Sequence, residues 1–196
     1  MKTLPQQSWR SALSFFTKVL CAFSICLSST QVLSGPITFT PVQTDYMASV
    51  KMYTQDPQVQ SVVRAIMYVE TTAGTTNKSN GNCHGIMQIN TKTAIGILKE
   101  HQEIGDQWGV NWRSYKDVTY KLIHMPLFGV QLAVTHVADL LKEGLSVDRA
   151  ILAYNIGEGG ALRLKRVETP YVRKVKYMMT EIDSSPVVKA EYNDIK

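Results

Sequence analysis

Apolar positions after residue 44 recur mainly at spacings of three and four, and no strand-like alternation lasts more than a few residues. Asp56-Pro57 pairs a helix cap with a first-turn proline, and the pattern predicts a helix over 57–73 with Gly74 as its terminating residue. Residues 75–90 are rich in Asn, Gly, Ser and Thr, which predicts a loop with a small hairpin around Gly85–Ile89. Further helices are expected over 91–104, 126–143 and 147–155, the last opened by Ser146. Gly157, Gly159 and Gly160 then interrupt the chain. Thr169-Pro170 repeats the cap-and-proline signal for a helix to about Ile182, and a polar, loose tail follows from Asp183. The expected class is mostly α, a helical bundle with a minimal β-hairpin. Its parts are a leader over 1–34, an N-terminal extension over 35–56, the main domain over 57–182 and a tail over 183–196.

One side chain interrupts this pattern. At about 100° per residue, with Val59 at zero, Val62, Val63 and Ile66 fall at roughly −60°, +40° and −20°. Glu70 falls at about +20°, in the middle of the apolar stripe, while Ser61, Arg64 and Tyr68 lie on the far, polar side. Desolvation disfavours a carboxylate, and the C-terminal end of a helix repels negative charge. Both effects keep a carboxyl group protonated, as a general acid must be. The same wheel also admits a glutamate that emerges into solvent at the last turn or pairs with a lysine.

Residues 1–34 carry Lys2, Arg10 and Lys18, no acid, and the apolar run Val19–Leu27. With small residues up to Ser34, this is the pattern of a cleaved secretory leader. The run is too short for a membrane span, so no span is expected after cleavage. Removing the leader lowers the net charge from +5 to +2, too little to argue for nucleic acid as a partner. It also discards Cys21 and Cys26, leaving Cys83 without an internal disulfide partner. The exported domain is expected to act as a monomer in the periplasm.

Three further blocks accompany Glu70: Gly85-Ile86-Met87-Gln88-Ile89, Ala153-Tyr154-Asn155-Ile156-Gly157 and Glu168-Thr169-Pro170-Tyr171-Val172-Arg173-Lys174-Val175. In this order and spacing the chain resembles the SLT family of lytic transglycosylases, over roughly residues 57–182. The resemblance implies an α+β lysozyme-like fold around a substrate cleft, with Glu70 as the single catalytic acid/base. It implies that Tyr171 hydrogen-bonds and positions that acid. It also implies that Thr71, Met87, Gln88, Tyr154 and Asn155 contact the glycan. Thr71 stands where the family usually has Ser. Tyr171, Val175, Met178 and Ile182 independently share one helix face, so a core-facing phenol is expected whether its partner is a carboxyl or a backbone carbonyl. Ile86, Met87 and Tyr154 could equally be plain core.

No acid occurs between Glu70 and Glu100, where a two-carboxylate glycosidase would take its second group. The expected reaction is cleavage of the peptidoglycan bond between N-acetylmuramic acid and N-acetylglucosamine, with closure of a 1,6-anhydro ring. No metal or organic cofactor is required. Small stand-alone members resemble the enzymes that open the wall for type III or IV secretion or conjugation machinery, which makes components of such an apparatus the expected partners. Three readings compete: a hydrolytic muramidase, a non-catalytic glycan-binding or docking module, and a cysteine peptidase using Cys83 with His124 or His136. Metal-ligand spacing of the HExxH kind is absent.

Overall fold

Six of the described helices start with a side-chain oxygen that caps the first turn. Asp56 accepts hydrogen bonds from the backbone N–H groups of Gln58 and Val59, and Pro57 presets the first helical φ. Thr40 before Pro41 and Thr169 before Pro170 do the same, while Asn90, Ser114 and Ser146 cap without proline. The computed structural model describes residues 37–76 and 81–186. The expected leader over 1–34 lies outside the described residues.

In chain order the described elements are α1 (Pro41–Ser49), a 3-10 turn (Val50–Met52) and α2 (Pro57–Thr71). Then come β1 (Cys83–His84), β2 (Ile89–Asn90), α3 (Thr91–Glu100), α4 (Gln102–Trp108) and α5 (Tyr115–His124). The chain continues through α6 (Pro126–Lys142), α7 (Val147–Ile156), α8 (Glu158–Arg163) and α9 (Pro170–Ser184). The architecture is mostly helical, with an antiparallel pair in which Cys83 faces Asn90 and His84 faces Ile89. Gly85, in the turn of that hairpin, has φ +73°, and a Cβ there would lie 2.1 Å from the Leu122 carbonyl oxygen. Only glycine lets the hairpin dock on α5.

The core centres on α2, which packs against α6, α7 and α9. Val62, Val63, Ile66 and Met67 are fully buried, each a contribution of about 1.5–3 kcal/mol relative to exposure. Burial runs all round the helix, which corrects the expected polar face. Arg64 is 0% exposed and donates from Nε to the Met47 carbonyl at 3.0 Å. Ser61 is buried and donates to Asp183 Oδ2 at 2.6 Å, and half-buried Tyr68 meets Phe39 edge-on. The cover comes from α1 and the end of α9. The residues read as an N-terminal extension therefore contain a packed helix, and Asp183, read as loose tail, lies within α9.

Two helix boundaries also differ from expectation. α2 stops at Thr71, because Thr72, Ala73 and Gly74 all take positive φ. The Ala73 N–H reaches back to the Met67 carbonyl and the Thr72 N–H to Tyr68, satisfying the last turn. The expected helix over 91–104 breaks at His101, whose φ of −119° and ψ of 65° are not helical. Its ring is held by Asp139 Oδ2 of α6 at 2.7 Å. Three short helices, α1, α5 and α8, were not predicted.

Candidate active site

The last turn of α2 presents Glu70 toward the first turn of α9. Tyr171 sits there because Thr169 and Pro170 start the helix one residue earlier, and Val172, Val175, Met178 and Ile182 anchor its inner face. Its hydroxyl donates to Glu70 Oε1 at 2.6 Å. Desolvation raises the Glu70 carboxyl above its ordinary value of 4.5, and the Tyr171 hydrogen bond and the Lys174 charge only partly offset this. Among the described residues, no carboxylate contributes to that shift. Tyr171 is in turn pushed well above its ordinary range, first by burial and then by the Glu70 charge. The phenol therefore stays a donor.

The hairpin forms the next wall. Thr71 Oγ1 donates to the Ile86 carbonyl at 2.7 Å and accepts from the Gly74 N–H at 2.9 Å. This bond ties the end of the acid-bearing helix to the turn of the hairpin. Thr71 and Met87 are both 0% exposed, so neither side chain offers a sugar any surface. Their expected role as glycan contacts is corrected here: Thr71 positions the turn, and Met87 fills the core while lending its carbonyl to the site. Tyr154 on α7 donates to that carbonyl at 2.8 Å.

Gln88 is half-buried with φ +47°, a left-handed conformation uncommon outside glycine. Its backbone N–H and its side-chain Nε2 both donate to the Gly85 carbonyl, at 3.0 and 2.8 Å. Asn155, also half-buried, follows Tyr154 in the final turn of α7. Burial raises the Tyr154 hydroxyl well above its ordinary range, with further contributions from Glu70 and Cys83. Those two influences place Glu70, Tyr154 and the edge of β1 in one neighbourhood. The structure thus brings together Glu70, Tyr171 and Tyr154, with Gln88 on the hairpin that supplies the Met87 carbonyl and Asn155 beside Tyr154.

Lys174 escaped the sequence reading. It lies one helical turn after Tyr171, so once Tyr171 is aimed at Glu70 the i, i+3 relation already points to it. His124 is exposed on α5 and stacks near Tyr120, with ring centroids 4.4 Å apart. His136 is half-buried on α6, 6.0 Å from the Tyr154 ring, and burial lowers its pKa. Two open hollows of about 600 and 490 Å³ are lined by α1, the 3-10 turn, α4 and α6. Neither is lined by Glu70, Tyr154 or Tyr171, so chemistry rather than concavity locates the site.

A carboxyl whose pKa is raised by desolvation, with one oxygen fixed by a phenol, can donate from its other oxygen when it is protonated. That is the equipment for acid-assisted cleavage of a glycosidic bond. Comparison with curated proteins and with solved structures returned no match. A family model described as the transglycosylase SLT domain matches residues 48–169, a span that holds Glu70, the hairpin and Tyr154-Asn155 and ends two residues before Tyr171. The chain belongs to the transglycosylase SLT domain family.

Proposed function

We propose that Glu70 alone serves as acid and then base in a non-hydrolytic cleavage of peptidoglycan. Family membership supports peptidoglycan-cleaving activity of the lytic transglycosylase type, which takes place outside the cytoplasm. The observation that carries the finer reading is the Tyr171 to Glu70 hydrogen bond on a carboxyl that desolvation raises. Tyr171 occupies Oε1, so Oε2 carries the proton to the oxygen between N-acetylmuramic acid and N-acetylglucosamine. The substrate's own acetamido group supports the developing positive charge at the anomeric carbon. Glu70, now a carboxylate beside Lys174, takes the proton from the muramyl 6-hydroxyl as that oxygen attacks the anomeric carbon. The ring closes as 1,6-anhydro-N-acetylmuramic acid. Attack by a tethered hydroxyl gains over water because its translational freedom is already lost.

Gln88, Tyr154 and Asn155 are the glycan contacts in this reading, Tyr171 and Thr71 position the acid, and no cofactor takes part. Export through the leader over 1–34 would deliver the domain to the periplasm, where local opening of the wall would serve a secretion or conjugation apparatus. The resemblance in sequence is what supports that last role. Purified peptidoglycan digested by wild type and by Glu70→Gln tests the chemistry. The wild type should release anhydro-ended muropeptides, and the variant, folded by circular dichroism, should release none. Products with only reducing ends would make the protein a muramidase, and glycan binding without turnover would make it a docking module. Activity that vanishes on thiol alkylation would point to Cys83 instead.

A further inference from the structure

Residues 159–180 hold six cationic side chains, Arg163, Lys165, Arg166, Arg173, Lys174 and Lys176, against the single acid Glu168. All six are exposed, and Glu158 and Glu181 flank the stretch on either side. Lys176 is engaged by Asp148 at 3.0 Å, and Lys174 acts on Glu70. Arg163 at the end of α8, Lys165 and Arg166 on the connector to α9, and Arg173 on α9 remain, the first three beside Leu162 and Leu164 at 55% and 44% exposure. Such spacing of like charges on an exposed segment has an electrostatic cost unless an anion is brought to it.

The segment formed by α8 and the connector leaves the site after Asn155 and returns to it at Tyr171. Arg149 Nη1 fixes it to the first turn of α7, donating to the Ala161 carbonyl at 2.7 Å and to that of Leu164 at 3.5 Å. Arg149 precedes Tyr154 by five residues, about 7.5 Å along the helix. A peptide of four residues, fully extended, reaches about 13 Å. The stem peptides of peptidoglycan hang from the muramyl lactate and end in free carboxylates, and Arg166 stands five residues, at most about 18 Å of chain, before Tyr171, so a stem on a sugar held at Glu70 is long enough to approach this segment.

We propose that the exposed cationic segment Arg163–Arg166 binds the carboxylates of these peptide stems, so that the protein selects peptide-bearing over bare glycan. The proposal rests on the peptidoglycan-cleaving reading and adds to it the part of the polymer recognised beyond the sugars. Continuity with the site through α7 and α9 favours stems over an anionic lipid surface, as does the presence of only two exposed leucines among the cations.

The test compares kcat/KM on peptide-bearing strands with that on the same strands stripped of stems by an amidase. Wild type and the triple variant Arg163→Gln, Lys165→Gln, Arg166→Gln are assayed at low and high salt. Three exposed ion pairs predict a preference of about tenfold for peptide-bearing strands at low salt. That preference should shrink with salt and disappear in the variant. Equal wild-type rates on the two substrates, or a variant impaired equally on both, would overturn it. Calorimetric binding of soluble tetrapeptide stems reads the segment without turnover: binding lost in the variant supports the proposal, and no binding by wild type overturns it. Stem binding without cleavage of either strand would instead sink the enzymatic reading. Binding to phosphatidylglycerol vesicles that the variant loses, with no strand preference in wild type, would assign the segment to lipid.

Discussion

Glu70 is the residue on which stability and chemistry pull in opposite directions. Its carboxyl is raised by desolvation, so it costs little folding free energy while protonated and progressively more once it ionises. A group whose folded pKa exceeds its unfolded value contributes stability below the unfolded pKa, and that contribution is lost as pH rises through the folded one. Glu70→Gln should therefore melt above wild type at neutral pH and lose that advantage under acid conditions, in paired thermal scans. Tyr171→Phe has a different signature. The phenol lowers the Glu70 pKa, so its removal should move the alkaline limb of the pH–rate profile to higher pH. It should also cut kcat by about tenfold or more through lost positioning. A fall in rate with an unmoved limb would make Tyr171 a packing residue only. The inward turn of Glu70 was legible in the sequence because a helix of period 3.6 places it on the apolar stripe, while its role as the acid came from the family blocks. Thr71 and Met87 were misread because adjacency to a motif says nothing about which way a side chain turns.

At the level of elements, local chemistry predicted helix starts better than helix ends. Asp56-Pro57 and Thr169-Pro170 begin α2 and α9 at the expected residues, since a cap and a proline act on their own neighbours. The break at His101 could not be foreseen, because Asp139 lies 38 positions away and only the fold brings it near. The burial of Arg64 was hidden for the same reason: its carbonyl partner belongs to α1, outside the periodic segment. The His101–Asp139 tie carries its own pH dependence. Burial pulls the imidazole down, but Asp139 and Glu103 together outweigh it and leave the ring above its ordinary value of 6.5. The stabilisation is complete below about pH 6.5 and fades as pH rises through the raised value. Asp139→Asn should accordingly lower Tm most in acid and least in alkali. Gly85→Ala tests the hairpin's seat on α5. A Cβ 2.1 Å from a backbone oxygen, at φ +73°, should cost about 3 kcal/mol or more, roughly 8 °C of Tm for a domain of this size.

Across the molecule, the site joins parts that are far apart in sequence. Glu70 and Tyr171 are separated by 101 positions, and Tyr154 and the Met87 carbonyl by 67. α2 brings these ends together because it is buried from Val59 to Met67 and α9 packs on it, so the core and the proposed catalytic geometry share one frame. Among the described residues no helix is long and apolar enough to cross a membrane. The central claim is that one carboxyl, without a second and without a water nucleophile, completes the reaction. Digestion of purified peptidoglycan in water enriched in heavy oxygen, followed by mass spectrometry of the new muramyl ends, measures this directly. The account predicts anhydro ends that carry no solvent oxygen. Reducing ends labelled with solvent oxygen would contradict it.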